Sequence, residues 1–331
     1  MKVVDLFCGC GGISLGFQLA GFEIVAAYDK WEAAIKVYRQ NFNHTADILD
    51  LSNVEASSSI IKSLNPDMIV GGPPCQDFSS AGKRNEDGGR GDLTINYAQI
   101  INIVRPKWFV MENVARITKT QKLVEAKEIF KRAGYGLSQQ VLDASRCGVP
   151  QQRKRFFLIG KLHEMDGFME PFILENLAEK QMTLRDYFGN NLGIDFYYRH
   201  PRSYARRGIF SIDEPSPTVR GVNRPMPEGY QIHANDPVKS KEGIRPLTTL
   251  ERSYIQTFPK SFKFSGNKTN IEQMIGNAVP VNLAKYVAEA INRYIESPHQ
   301  MRNLEIDYDL WEPSQRMAYY ASEHPINVDD K

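Results

Sequence analysis

Short apolar runs alternate with helix-length segments through the first 160 residues, and few architectures accommodate that order. Residues 3–7, 22–28, 68–71 and 108–111 have the length and apolar character of strands covered on both faces. Residues 12–20, 31–41, 93–104 and 118–132 carry helical spacing, and Gly21 stops the first of them. Val141 and residues 155–159 mark two further strands. This order predicts an α/β fold: a doubly wound, mostly parallel Rossmann-like sheet with helices on both faces. The pattern stops near residue 180. From there to about 250 the chain is rich in Pro, Gly, Arg and Tyr, which predicts a smaller, loop-rich domain. Helical pattern returns at 248–258 and 278–295. The expected division is 1–181 for the large domain, 182–252 for the small one, 253–297 for a segment returning to the large domain, and 298–331 for a tail. Trp311, Tyr319 and Tyr320 suggest that the tail docks, and self-association through it is one use for such a surface.

Composition excludes several classes. A content of 42% hydrophobic and 24% charged residues is that of a globular protein. Four cysteines, Cys8, Cys10, Cys75 and Cys147, none in C-x-x-C spacing, exclude a disulfide framework and argue against a metal site. The chain enters a strand at once, with no signal-peptide pattern and no apolar run of membrane-spanning length, so a soluble, cytoplasmic protein is expected. A net charge of +2 requires any nucleic-acid contact to come from local patches.

Two turns draw chemistry to the carboxyl ends of strands, where open α/β sheets bind ligands. Phe7-Cys8-Gly9-Cys10-Gly11-Gly12 joins the first strand to the first helix, and its glycines admit a ligand close to the backbone. Asp29 ends the second strand at the spacing of a carboxylate that binds ribose hydroxyls. Asp47, after a third short strand, offers an acceptor for an adenine amino group. Together they point to an adenosine-containing cofactor. A nicotinamide dinucleotide fits less well, because the third glycine of G-x-G-x-x-G is replaced by Ser14. The second turn is Gly71-Gly72-Pro73-Pro74-Cys75-Gln76. Its prolines restrict the backbone ahead of Cys75, so the thiol is either an aimed nucleophile or an inert packed cysteine.

Three more clusters follow: Glu112-Asn113-Val114 after a strand, Gln151-Gln152-Arg153-Lys154-Arg155 before one, and Gly276-Asn277-Ala278-Val279-Pro280 opening the last helix. Singly, each also reads as a cap or a solvated face. In this order the five motifs resemble those of the C5-type DNA cytosine methyltransferases of prokaryotic restriction-modification systems, over nearly the whole chain except the middle and the tail.

The resemblance implies S-adenosylmethionine as cofactor, no metal, and duplex DNA as partner, bound by a monomer. It implies Cys75 as the nucleophile at C6 of cytosine, Glu112 as the acid at N3 and the exocyclic amine, and Arg153 and Arg155 as orienting arginines, Arg155 at O2. It assigns the cofactor to Phe7, Gly9, Gly11, Gly12, Asp29, Asp47, Ile48, Pro74, Leu93, Asn277 and Ala278. Where the family often stacks an aromatic on adenine, this chain has Lys30 followed by Trp31, so either Trp31 takes over or the adenine packs differently.

The chemistry explains the set. A thiolate adding at C6 makes C5 nucleophilic, and an acid with a raised pKa and a guanidinium absorb the charge that develops on the ring. The base must leave the duplex to be reached. The polar stretch 77–91, with Gly82, Gly88, Gly89 and Gly91, is expected to close over the DNA, with Gln76 and Ser79 in contact with it. The small domain then reads as a target-recognition domain. Arg199, Arg202, Arg206, Arg207, Arg220 and Arg224 crowd its middle, Tyr197, Tyr198 and Tyr204 interleave, and Thr218-Val219 resembles the family's short threonine motif. Arg199, Arg206, Arg207, Thr218, Arg220 and Arg224 are the expected DNA contacts. The alternatives are a tRNA cytosine-5 methyltransferase and a catalytically inactive DNA-binding homologue.

Overall fold

The computed structural model describes residues 1–74, 92–203 and 205–297. Its main element is a seven-stranded sheet. The strands are β1 (Lys2–Leu6), β2 (Glu23–Asp29), β3 (Thr45–Ile48), β4 (Met68–Gly71), β5 (Trp108–Val114), β6 (Tyr135–Asp143) and, beyond the two-residue β7 (Gln151–Gln152), β8 (Lys154–Leu162). The sheet order is β3-β2-β1-β4-β5-β8-β6. The first five strands are parallel, and β8 runs antiparallel to both of its neighbours. The connection from β6 to β8 holds no crossover helix, and without one a strand can return only antiparallel.

Alternation along the strands builds a core on each face. Val3, Met68, Val70, Trp108 and Val110 point one way, while Val4, Leu6, Ile69, Phe109 and Met111 point the other. The helices α1 (Gly12–Leu19) and α10 (Val281–Glu296) cover the first face. Their approach is close: a Cβ on Gly12 would lie 2.3 Å from the Val279 carbonyl oxygen, and one on Gly16 would lie 2.5 Å from Ala284 Cβ. The second face is covered by α4 (Leu93–Val104) and α5 (Gln121–Arg132), through Tyr97, Ile100, Ile101, Leu123 and Phe130. The helices α2 (Glu32–Arg39) and α3 (Val54–Ser63) follow β2 and β3; α3 was not anticipated from the sequence.

Beyond the sheet, the chain has only short elements until it returns: α6 (Glu170–Leu174), α7 (Leu184–Phe188), β9 (Phe196–Tyr198), β10 (Ile209–Ser211) and β11 (Ser216–Pro217). A capping box between Thr248 and Glu251 starts α8 (Thr249–Ile255). A further helix, α9 (Lys268–Asn277), precedes α10. The expected helix over 278–295 thus begins at Val281, after Pro280, because a proline is well placed ahead of a first turn and poorly placed inside a helix.

Candidate active site

The strand order reverses between β1 and β4, and at their carboxyl ends the chain walls a cavity of about 490 Å³. The turn after β1 takes a left-handed backbone at Phe7 (φ +58°), Gly9 (+53°) and Gly11 (+100°). Such a conformation at Phe7 persists only where neighbours enforce it. Here the Cys8 amide donates to the Tyr28 carbonyl at 3.1 Å and the Gly9 amide to Asp29 Oδ2 at 2.9 Å. A Cβ on Gly9 would meet nothing within 4 Å, so its backbone borders open space. The other Asp29 oxygen accepts from the Trp31 amide at 2.8 Å. Phe7, Gly9, Gly12, Asp29, Lys30, Trp31, Pro74, Leu93, Asn277 and Ala278 all line the cavity.

Three residues expected at the cofactor site lie elsewhere. Gly11 faces the core, where a Cβ would meet the Phe42 ring at 2.4 Å. Asp47 lies within β3, and its exposed carboxylate pairs with Arg39 at 2.5 Å; Ile48 is 52% exposed. Neither lines the cavity. Leu49, Asp50 and Leu51 do, just beyond the strand. The strand runs through Asp47 to Ile48 rather than ending before Asp47, and near a strand end one or two positions decide which side a residue faces. Asp50 is therefore the carboxylate at this wall. Ser14, which departs from the dinucleotide pattern, is buried and donates to Asp5 Oδ2 at 2.6 Å.

Glu112 and Arg155 meet across the β5–β8 ladder. Arg155 is paired with Val114, which places it diagonally beside Glu112. Arg155 Nε lies 2.9 Å from Glu112 Oε1, with both side chains nearly buried. Burial raises the Glu112 carboxyl above the usual range, against the opposing pull of Arg155 and Arg153. Asn113 donates to the Pro73 carbonyl at 2.8 Å and so ties the end of β5 to the segment leading to residue 75. Cys75, Gln76 and Ser79, the rest of 77–91, Tyr204 and the tail 298–331 lie outside the described residues.

Arg153 is 1% exposed and lines the same cavity, but its guanidinium is occupied by carbonyls: Val219 at 3.1 Å, Gly276 at 3.0 Å and Ala278 at 3.1 Å. Burial pulls its pKa down. It joins the sheet, the segment after β11 and the turn before α10. Gln151 and Gln256 complete this joint and were not expected from the sequence. The amide of Gln151 donates to Gln256 Oε1 at 2.7 Å and its oxygen accepts from the Val219 amide at 2.8 Å; Gln256 in turn donates to the Ala278 carbonyl at 3.0 Å. Gln151 was visible only as part of a motif, and Gln256 carried no local signal. The three remaining thiols are buried, and burial pushes Cys10 and Cys147 up to about 12.

The model of the family described as C-5 cytosine-specific DNA methylase matches residues 1–293. The chain belongs to that family. It is a DNA cytosine-5 methyltransferase. The chain is 61% identical over 300 residues to the Type II methyltransferase M.HindV of Haemophilus influenzae, covering 90% of this chain and 98% of the relative. It is 53% identical over 302 residues to the Type II methyltransferase M.HgiDI of Herpetosiphon aurantiacus, covering 91% and 97%. The solved structure of the S. pombe Dnmt2 methyltransferase superposes with a TM-score of 0.66 at 17% identity, covering 90% of this chain and 99% of that one, a likeness of fold.

In this methyltransferase the arginine-rich segment borders a second, open groove of about 720 Å³ lined by Gln152, Arg199, Arg202, Arg206, Arg207, Thr218 and Arg220, among others. Thr218 donates to the Gln152 carbonyl at 2.8 Å, and Arg199 to the Thr218 carbonyl at 2.8 Å. Arg220 donates to the His200 carbonyl. Arg207 is held by Glu214 through both ends of its guanidinium. Tyr197 and Tyr198 are 1% exposed and pack inside the small unit, not as interleaved surface rings. No helix among the described residues is long and apolar enough to cross a membrane.

Proposed function

We propose that this methyltransferase uses S-adenosylmethionine to methylate C5 of a cytosine flipped out of a short specific site in duplex DNA, through a covalent bond from Cys75 to C6. The observation that carries this reading is the shared cavity: the glycine turn with Asp29 at one end, and the Glu112–Arg155 pair beside Pro73 and Pro74 at the other.

The residues present fit the cofactor. Asp29 has oxygens left to accept from a ribose, Asp50 is the acceptor for an adenine amine, Phe7 and Trp31 supply apolar walls, and Gly9 leaves open space. When bound, S-adenosylmethionine supplies an electrophilic methyl group on a sulfonium. The chain's own groups prepare the base to take it. The Cys75 thiolate forms the bond to C6, and the displaced π electrons spread over C5, N3 and O2. Glu112, whose carboxyl burial raises above its ordinary range, is the donor at N3 in this reading, and Arg155 steadies O2 while holding the carboxyl in place. After C5 has taken the methyl group, a water-borne base removes its proton, that electron pair re-forms the C5–C6 double bond as the thiolate leaves, and the N3 proton returns to Glu112. The high pKa of the other thiols leaves none of them as a ready thiolate.

Residues 182–252 are the target-recognition unit in this reading, with DNA lying between it and the sheet. The Type II relatives support a role as the modification enzyme of a restriction-modification system; in this reading it acts on DNA as a monomer in the cytoplasm. A duplex carrying 5-fluorocytosine at the target tests the chemistry. The enzyme should be trapped covalently through Cys75, and Cys75→Ser should abolish both trapping and turnover while cofactor binding survives. Turnover without a trapped adduct would overturn the covalent step. Methyl transfer to tRNA in preference to duplex DNA would overturn the substrate.

A further inference from the structure

The arginines of the small unit fall into two sets by what already holds them. Arg185 is paired with Asp195 and Asp213, Arg207 with Glu214, and Arg245 with Glu251. Asp236 accepts from the amides of Gly208, Ile209 and His233 and from Tyr230. Those acids are therefore already engaged. Arg202, Arg206 and Arg224 are exposed, and their guanidinium groups have no hydrogen-bond or ion-pair partner among the described residues. Arg202 and Arg206 border the open groove. Arg224 borders a small crevice on the other side of Arg220, next to His200. Arg199, Arg202, Arg206, Arg207 and Arg220 all line the open groove, and the one carboxylate among its described lining, Glu214, is already held by Arg207. Like charges held this close are unfavourable in the free protein, and a polyanion lying in the groove relieves them.

We infer that Arg202, Arg206 and Arg224 make the DNA contacts of this unit, whereas Arg207, Arg199 and Arg220 chiefly position its backbone. This deepens the reading that residues 182–252 meet DNA. It replaces Arg199, Arg207 and Arg220 in the expected contact set and adds Arg202. A guanidinium with its fork free can grip a phosphate or read a guanine edge. One already spanning a carboxylate would first have to break that pair.

The test is equilibrium binding of a duplex carrying the target, at several salt concentrations, with melting temperature measured in parallel. Arg202→Ala, Arg206→Ala and Arg224→Ala should each weaken binding about 5- to 50-fold with melting temperature and cofactor binding unchanged. A variant that loses a phosphate contact should also lower the salt slope by about 0.9. The paired control, Arg207→Met combined with Glu214→Gln, should lower the melting temperature and leave affinity within about twofold when measured well below it. Unchanged affinity in all three single variants, or a larger affinity loss in the paired control, would overturn the inference. A wild-type enzyme that neither binds nor methylates duplex DNA would instead defeat the reading on which it rests.

Discussion

The carboxyl edge of the sheet and the segment from β9 to residue 224 both carry functional side chains, but they hold them by different means. At the edge, Asp29, Glu112 and Arg155 sit on strands whose registers are set by continuous ladders, and their placement follows from the backbone. In the segment the strands are two or three residues long. Placement there comes from side chain–backbone bonds that span tens of residues, such as Thr218 to Gln152 and Arg153 to Val219. A ladder survives the loss of one side chain. A set of isolated polar bonds does not, so substitutions in the two regions should fail in different ways.

The largest effect belongs to the edge. Glu112→Gln should keep the fold and the cofactor affinity while lowering kcat about 10²- to 10⁴-fold. Because burial raises the Glu112 pKa, wild-type activity that depends on its proton should fall as pH rises through that value, and the variant should lose this limb of the profile. An unchanged pH–rate profile would detach Glu112 from the chemistry.

Asp5 probes the same edge as structure alone. Burial pushes its carboxyl up to about 7, although Ser14 donates to it. The native state therefore holds a proton that the unfolded chain releases near pH 4. This contribution to stability is complete below pH 4 and is lost as pH rises to about 7, a span worth on the order of 4 kcal/mol. Asp5→Asn should flatten that part of the stability–pH curve in denaturant titrations. An identical slope in the variant would show that the carboxyl is not protonated in the fold.

Arg153→Met tests the joint between the two regions. Removing it takes the donor from the Val219 and Gly276 carbonyls and leaves Ala278 to Gln256 alone, which should cost about 3 kcal/mol in chemical denaturation. KM for DNA should rise more than KM for the cofactor, because the segment at Val219 loses its anchor. Equal changes in both would mean that Arg153 serves the cavity and not the joint.

The smallest effect separates two aspartates. Asp50→Ala should raise KM for S-adenosylmethionine about tenfold, the order expected for one charge-assisted hydrogen bond. Asp47→Ala should leave it within about twofold, since an exposed ion pair contributes about 0–1 kcal/mol. The reverse ranking would restore Asp47 to the cofactor site.

The layered α/β architecture and the ends of β1, β2 and β4, to within a residue, were legible in the sequence, because buried strands need continuous apolar runs and their turns need glycine or proline; β5 runs on to Val114 and takes Glu112 into the strand. The sequence therefore also marked Asp29, Glu112 and the turn that leads to Cys75. Tertiary structure alone decided what depends on register and on distant partners. It paired Asp47 with Arg39 away from the cavity and set Asp50 at the cavity wall, it occupied Arg153 with carbonyls 66 to 125 residues away, and it paired Gln151 with Gln256. It also sorted the arginines into those already held and those still open to a ligand. Local residue patterns report which side a segment buries; which donor meets which acceptor across the fold is set only when the chain has closed on itself.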